Sequence, residues 1–257
     1  MNQLTIVKVG GKIVESPTLL PAFIKDFARI SGYKILVHGG GSAASKIAGQ
    51  LGVQSQMVDG RRITDEESLK VVTMVYAGLV NKNIVAQLQA LYLDAVGLTG
   101  ADMNLICAVK RPVDGVDYGL VGDICEVNTP VLKYLLEQNY LPVLVPVTHD
   151  GKGQLLNTNA DAIAAETAKA LAYNFNVRLI YCFEKKGVLL DENDDSSVIP
   201  NLNKEQFLQL KEEGVIHAGM IPKLENAFGA IAAGVKEVII TRASDIHLGG
   251  GTFLIEN

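Results

Sequence analysis

The sequence predicts an α/β protein in which helices form two layers around a mostly parallel open sheet, a three-layer αβα sandwich. Three observations support this class: runs rich in Val, Ile and Leu recur along the chain, they are apolar on both faces, and helical patterns separate them. Such strands are typical of parallel sheets covered on both sides. The runs are TIVKV (5–9), YKILVHG (33–39), LPVLVPV (141–147), VRLIYCF (177–183) and VKEVIIT (235–241).

The composition fits one large soluble domain or two lobes and excludes several classes of partner. The 257 residues are 48% hydrophobic and 20% charged, which suffices for a sizeable core. A net charge of -5 offers no basic surface to a nucleic acid. No run approaches the roughly 18 apolar residues of a membrane span, so we expect no membrane partner.

The cysteines and the first residues indicate the compartment. Cys107, Cys125 and Cys182 are odd in number, far apart in the chain and without metal-ligand spacing, as is typical of reduced, inert core thiols. Lys8 and Lys12 interrupt any apolar stretch of a signal peptide. We therefore expect a cytoplasmic protein.

The first strand contains a lysine, Lys8, between apolar neighbours. Burying an ammonium group costs several kcal/mol unless a counter-charge meets it. We expect Lys8 to reach the carboxyl edge of the sheet, where open α/β sheets bind ligands. The alternative is an edge strand from which the lysine extends into solvent.

Three glycines, Gly39 to Gly41, follow the second strand and precede a helical pattern that Ser42 is expected to cap. A glycine turn before a helix brings backbone N–H groups against an anion. The alternative is a tight turn without a ligand. Two known phosphate loops do not fit: Ile6 stands where a Walker loop needs glycine, and Ala44 ends the run where a dinucleotide loop has a further glycine, although that loop also tolerates alanine.

Between the glycine turn and the middle of the chain, DGRRIT (59–64) places Arg62 just before a helix. Its guanidinium is suited to binding a carboxylate, and the alternative is a solvated surface arginine.

Thr64 and Glu67 have the spacing of a capping box. Residues 110–121 are predicted to be a hairpin excursion rather than a helix.

In the second half, Asn157, Asn159 and Asp161 occupy alternating positions where an alanine-rich helix begins. A helix cap alone would explain Asn159 or Asp161. Lys223 lies in the first turn of another helix, where a cation is repelled by the positive end of the helix dipole. A bound phosphate would interact favourably with both the lysine and the helix N-terminus. Residues 191–201 are acidic and turn-forming, as in a surface linker.

Five ordered motifs, KVGG (8–11), VHGGG (37–41), DGRRIT (59–64), NTNAD (157–161) and GMIPK (219–223), resemble the amino-acid kinase family. The likeness is strongest to members that phosphorylate N-acetyl-L-glutamate in arginine biosynthesis. It covers nearly the whole chain and includes VNKNIV (80–85) and GLTGADMNLI (97–106). It implies the amino-acid kinase fold in a single domain, with an N-lobe of about residues 1–175 for acylglutamate and dimerisation and a C-lobe of about 176–257 for the nucleotide.

The resemblance also implies roles for individual residues. Lys8 and Lys223 match the lysines that stabilise the transferring phosphoryl group, and Asp161 matches the aspartate that orients them. The positions matching acylglutamate-binding residues are Gly40, Gly41, Arg62, Asn157 and Asn159. The nucleotide-binding positions are Gly10, Gly11, Glu184, Lys185, Lys186, Gly187, Val188, Leu189, Val215, Ile216 and His217.

The implied reaction is transfer of a phosphoryl group from ATP to the γ-carboxylate of an N-acylated glutamate, which yields an acyl phosphate. A carboxylate is ionised at neutral pH, so no general base is needed. Mg²⁺ is expected to be held through the ATP phosphates rather than by protein ligands. The implied assembly is a homodimer, formed through the helix from about Asp65 to Tyr76, without arginine feedback.

Two departures from the family pattern leave questions open. FEKKGVL (183–189) differs from the usual nucleotide loop. Arg61 stands where relatives have an apolar residue, which is either solvated surface or a contact for an additional carboxylate, as in N-succinyl-L-glutamate. The competing functions are a family member acting on glutamate, aspartate, carbamate or UMP, a nucleotide-binding regulator without turnover, and a dinucleotide oxidoreductase.

Overall fold

The computed structural model describes residues 1–58, 61–217 and 219–256 of the chain. Its strands are β1 (Gln3–Val9), β2 (Tyr33–His38), β3 (Gln56–Val58), β4 (Arg61–Ile63), β5 (Ala95–Leu98), β6 (Ile106–Lys110), β7 (Gly122–Val127), β8 (Leu141–Leu144), β9 (Val147–His149), β10 (Leu155–Asn157), β11 (Asn176–Phe183), β12 (Asn201–Leu202), β13 (Glu237–Arg242) and β14 (Thr252–Leu254).

The α-helices are α1 (Gly11–Glu15), α2 (Leu19–Ala28), α3 (Gly41–Gln50), α4 (Glu66–Thr73), α5 (Asn81–Gln89), α6 (Thr129–Glu137), α7 (Ala160–Leu171), α8 (Lys204–Glu212) and α9 (Met220–Ala232). A π-helical segment, Met74–Val80, joins α4 to α5, so that one continuous helix runs from Glu66 to Gln89. Two short 3-10 turns cover Asp102–Asn104 and Ala243–Asp245.

The main sheet has eight strands in the described ranges, in the order β12-β14-β13-β11-β1-β2-β8-β5. Every pairing in it is parallel except β13 with β14. The prediction of a mostly parallel sheet is therefore confirmed. A smaller four-stranded sheet, β10-β9-β6-β7, lies beside it and contains the antiparallel β6–β7 pair.

Strand β1 shows why both faces of the sheet are apolar. Leu4 and Ile6 pack into one core cluster, whereas Val7 and Val9 pack into another. Because side chains alternate along a strand, Lys8 lies on the same face as Leu4 and Ile6. That cluster also contains residues of α7 and α9, so the alternation directs Lys8 towards these two helices.

Several local predictions need correction. The run 141–147 is not one strand, because β8 ends at Leu144 and β9 begins at Val147. Ser42 does not cap α3, since the helix already begins at Gly41. Asp65, not Thr64, caps α4: its carboxylate accepts a hydrogen bond from Ser68 N. The hairpin prediction for 110–121 is confirmed, since Lys110 pairs antiparallel with Gly122.

The expectation of three core cysteines is correct for Cys182 only. Cys182 is buried, whereas Cys107 is half-buried and Cys125 is exposed. Cys107 and Cys125 also lie on the paired strands β6 and β7, so they are neighbours in space despite their separation in sequence.

The continuous helix Glu66–Gln89 is long and apolar enough to cross a membrane by length and composition alone. In the most apolar 18-residue stretch of this helix, 44% of the stretch is buried inside the protein. Val72, Val75, Ile84 and Leu88 belong to a core cluster, so this helix is a core helix of the domain.

Candidate active site

Three charged side chains from distant parts of the chain meet at the carboxyl edge of the main sheet. Lys8 Nζ lies 2.8 Å from Asp161 Oδ1, and Lys223 Nζ lies 2.9 Å from Asp161 Oδ2. The side chains are 12%, 12% and 14% exposed for Lys8, Lys223 and Asp161, so water screens their charges poorly. Lys8 is on an interior strand, which excludes the edge-strand alternative.

The two ammonium groups stabilise the charged form of the carboxylate, and the carboxylate partly offsets the cost of burying Lys223 as a cation. Burial acts to raise the pKa of Asp161, but Lys223 and Lys8 more than offset this and hold that pKa far below its usual range. Burial lowers the pKa of Lys223, and Asp161 opposes that shift. Asp161 therefore allows two cations to remain close together.

Local helix geometry positions two of the three groups. Asn159 caps α7, its side chain accepting hydrogen bonds from the backbone N–H groups of Asp161 and Ala162. The cap fixes the first turn of α7 and with it Asp161. Lys223 lies in the first turn of α9, with Nζ 5.1 Å from the centre of the Tyr181 ring.

A cavity of about 440 Å³ opens beside Lys8 and Asp161. It brings together every residue predicted to hold the substrate: its lining includes Gly40, Gly41, Arg62, Asn157 and Asn159. Gly11, which was predicted to bind nucleotide, lines this cavity too. The two glycine turns face each other closely at its wall, since a Cβ at Gly11 would lie 3.6 Å from Gly40 N.

Arg62 is a buried cation at this cavity, which excludes the interpretation as a solvated surface residue. It is 6% exposed, and its guanidinium donates hydrogen bonds to Ser55 Oγ, Ser45 Oγ and Gly41 O. Its Nε atom is buried without a hydrogen-bond partner in the described residues. All three partners are neutral, so the positive charge remains available to an anion. Asp59 and Gly60 of the DGRRIT motif lie outside the described residues.

A second cavity, of about 210 Å³, lies among residues 183–220. It brings together most of the predicted nucleotide positions: Lys185, Gly187, Val188, Leu189, Val215, Ile216 and His217. Phe183 also lines it, and the centre of its ring lies 5.9 Å from Lys223 Nζ. The lysine cluster therefore lies between the two cavities.

Three predicted nucleotide residues are absent from both linings within the described part of the chain. The Gly10 N–H donates to Cys182 O, and Glu184 lies 3.3 Å from Lys12 Nζ in an ion pair. Lys186 lines neither cavity. Lys223 also lines neither cavity, and it contacts the site through its ion pair with Asp161.

Sequence reasoning missed several residues that line the cavities. Tyr76 stands over the glycine turn, where a Cβ at Gly40 would lie 3.0 Å from its ring. Arg111 and Asp123 form an ion pair at the wall of the first cavity. Glu192 lines the second cavity, where its backbone O accepts a hydrogen bond from Lys185 Nζ. The signals for Tyr76 and Arg111 were weak, because each lies in an element that was assigned another role.

The sequence matches the family model "Amino acid kinase family" over residues 3–242. The chain belongs to the amino acid kinase family. This confirms the family resemblance and agrees with the lysine–aspartate–lysine cluster at the edge of a parallel sheet.

Two relatives of high identity carry the same name. The acetylglutamate kinase of Parabacteroides distasonis is 64% identical over 252 residues, covering 98% of this chain and 99% of that protein. The acetylglutamate kinase of Phocaeicola vulgatus is 63% identical over 253 residues, covering 98% of each. The likeness therefore extends through both cavities.

A solved structure of smu.665 from Streptococcus mutans has the same architecture. It superposes with a TM-score of 0.82 at 29% identity, covering 98% of each chain. The prediction of the amino-acid kinase fold is thus confirmed.

Proposed function

We propose that the protein is an ATP-dependent kinase that phosphorylates the γ-carboxylate of N-acetyl-L-glutamate in arginine biosynthesis. The observation that carries this proposal is the convergence of Lys8 and Lys223 on Asp161 between two cavities. The names of the full-length relatives agree with it.

The charges of the site suit the difficulty of the reaction. A carboxylate must approach a triphosphate, and two anions repel each other unless cations and backbone N–H groups intervene. Lys8, Lys223 and the facing glycine turns supply both. Phosphoryl transfer depends mainly on positioning and charge stabilisation, so this set of groups is sufficient on the protein side.

The first cavity suits an acylated glutamate. Arg62 offers a buried guanidinium for a carboxylate, and the side chain of Asn157 is held by a hydrogen bond from its Nδ2 to Thr64 Oγ1. The γ-carboxylate would face Lys8 and the glycine turns. It is already ionised near neutral pH, so the site needs no base to activate it.

The second cavity suits the nucleotide base and sugar. Its lining combines apolar side chains such as Val188, Ile216 and Met220 with polar ones. We propose that Mg²⁺ binds through the phosphates of ATP, because Asp161, the carboxylate of the lysine cluster, is already paired with two lysines. Bound Mg²⁺ would neutralise part of the triphosphate charge.

The same geometry supports the division into lobes near residue 175. The first cavity is lined by residues 8–166 together with Asn226, whereas the second is lined by residues 183–220. We therefore retain an acylglutamate-binding N-lobe and a nucleotide-binding C-lobe as part of the proposal. The proposal also keeps the cytoplasmic location that the sequence leads us to expect.

Trapping of the acyl phosphate with hydroxylamine tests the proposal. We expect ATP-dependent hydroxamate with N-acetyl-L-glutamate and far less with glutamate or aspartate. Formation with carbamate or UMP instead would assign another activity of the family. ATP binding without any product would favour a regulatory protein, and binding of NADH would favour an oxidoreductase.

N-succinyl-L-glutamate is a second candidate substrate, favoured by Arg61. This residue lines the first cavity next to Arg62, where an additional carboxylate on the acyl group could meet it. The same assay compares initial rates on the two acyl compounds, with Arg61→Gln as the variant. Higher turnover of the succinyl compound that Arg61→Gln abolishes would support this candidate; equal or lower turnover would exclude it.

A further inference from the structure

A chain of hydrogen bonds, buried at His38 and Asn81, links the glycine turn to two motifs without a role in the reaction described above, VNKNIV (80–85) and GLTG (97–100). His38, the last residue of β2, is fully buried. Its Nδ1 lies 2.8 Å from Gly39 O, and its Nε2 lies 3.1 Å from Asn81 Nδ2. Asn81 is 1% exposed and also contacts Lys82 and Val143.

The chemistry of the partners fixes the direction of every bond in this chain. An ammonium group can only donate, so Lys82 Nζ donates to Asn81 Oδ1 at 3.1 Å. Asn81 Nδ2 then donates to Val143 O at 3.0 Å and to His38 Nε2. Nε2 must be unprotonated to accept, so the neutral ring carries its proton on Nδ1 and donates it to Gly39 O.

Two further features preserve this arrangement. A Cβ at Gly97 would lie 1.7 Å from Asn81 Oδ1, so only glycine leaves space for the amide. Burial lowers the pKa of His38 to about 4, the hydrogen bond to Gly39 opposes this, and the charge of Lys82 adds to it. The ring is therefore neutral at neutral pH and keeps one tautomer.

The fixed His38 ring affects the cavity through the peptide group between Gly39 and Gly40. The Gly39 carbonyl and the Gly40 N–H belong to the same planar trans peptide, so they point in opposite directions. The bond from His38 holds the carbonyl towards the buried ring and thereby turns the Gly40 N–H away from that ring. Gly40 lines the cavity, and its N atom would lie 3.6 Å from a Cβ at Gly11. Without that bond, the glycines would be free to rotate this peptide.

We propose that His38 and Asn81 are positioning residues for phosphoryl transfer, which fix the direction of the Gly40 N–H without touching either substrate. The inference rests on the proposed function. A fixed donor needs no reorganisation as charge moves in the transition state, and it therefore contributes more than a freely rotating one.

The first measurement uses the wild-type protein, labelled with ¹⁵N. The His38 ring is expected to show the Nδ1–H tautomer and to remain neutral well below the ordinary pKa of histidine. The second measurement compares steady-state kinetics of wild type, Asn81→Leu and His38→Phe. We expect kcat to fall about tenfold to a hundredfold, with KM for ATP little changed, and the His38 tautomer to be lost in Asn81→Leu.

Lys34→Met is the matched control. Lys34 is also a buried polar residue that donates to backbone carbonyls, Ala28 O and Ile30 O, each at 2.8 Å, but it lines neither cavity. It is expected to lower the stability and leave kcat unchanged. An Nε2–H tautomer in the wild type, or a kcat in Asn81→Leu equal to that of Lys34→Met, would overturn the inference. A wild type without kinase activity would instead refute the proposed function.

Discussion

Asp161 is the residue on which the charge balance of the site depends, and its neutral isostere gives a direct prediction. In Asp161→Asn the ammonium groups of Lys8 and Lys223 would face each other without a counter-charge. We expect kcat to fall about a hundredfold or more. Because burial already lowers the pKa of Lys223 and Asp161 opposes that shift, the pKa should fall further, and the remaining activity should be lost at a lower alkaline pH than in the wild type.

The measurement is kcat from neutral to alkaline pH in both proteins. Asp150→Asn serves as the control. The pKa of Asp150 is also lowered, by hydrogen bonds from the backbone N–H groups of Lys152 and Gln154, but this carboxylate lines neither cavity. Its kcat should match the wild type. An unchanged alkaline limb in Asp161→Asn would show that Asp161 does not hold the charge of Lys223.

At the residue scale, the sequence allowed prediction of charged residues whose local surroundings disfavour a charge. It gave no comparable signal for the other residues that line the cavities. Lys8 in an apolar strand and Lys223 at a helix N-terminus both need a counter-charge, and this need could be deduced without a fold. Tyr76 gives no such signal, because an aromatic residue in an apolar helix fits the core equally well. Arg111 directly follows β6 and its N–H donates to Val121 O, but the sequence does not specify that this end of the hairpin borders the cavity.

At the scale of elements, Glu15 couples the two glycine turns. Helix α3 has Gly40 at its N-cap position and no capping side chain of its own. Glu15, the last residue of α1, provides one: its Oε1 accepts hydrogen bonds from Ser42 Oγ and Ala43 N, both at 2.8 Å. Glu15→Ala should therefore lower the free energy of unfolding by about 1 kcal/mol.

Urea unfolding measures this loss, and Glu67→Ala provides the comparison. Glu67 also lies in the first turn of a helix, but its partner is the exposed side chain of Lys70. Exposed pairs contribute little, so this variant should lose less than about half as much stability. Equal losses in the two variants would show that Glu15 is not a cap.

The strands were easier to predict than the helix caps, because burial constrains every residue of a strand and a cap requires only one. Strands buried on both faces must be apolar throughout, and the predicted runs 5–9 and 177–183 lie within the observed strands β1 and β11. A cap needs only one oxygen near a helix end. For α3 that oxygen comes from 27 residues away in the chain, from Glu15, so Ser42 was the natural but wrong assignment.

At the scale of the whole molecule, the site is assembled from the beginning, the middle and the end of the chain. Lys8, Asp161 and Lys223 meet only when α7 and α9 are packed on the face of the sheet to which β1 directs Lys8. Kinase activity is therefore expected to require the complete domain rather than either lobe alone.

The remaining prediction concerns assembly. The helix from Glu66 to Gln89 packs one side into the core, yet Met74 in its middle is 55% exposed and Leu79 is 51% exposed. Burying such side chains against a second copy would be favourable, so we expect a homodimer with twice the 27.5 kDa mass of the chain. Light scattering after size exclusion should show that mass for the wild type and the monomer mass for Met74→Arg. Tyr173→Arg, at a residue that is 85% exposed and outside this helix, should remain dimeric. A monomeric wild type, or a dimer that tolerates Met74→Arg, would contradict an interface centred on this helix.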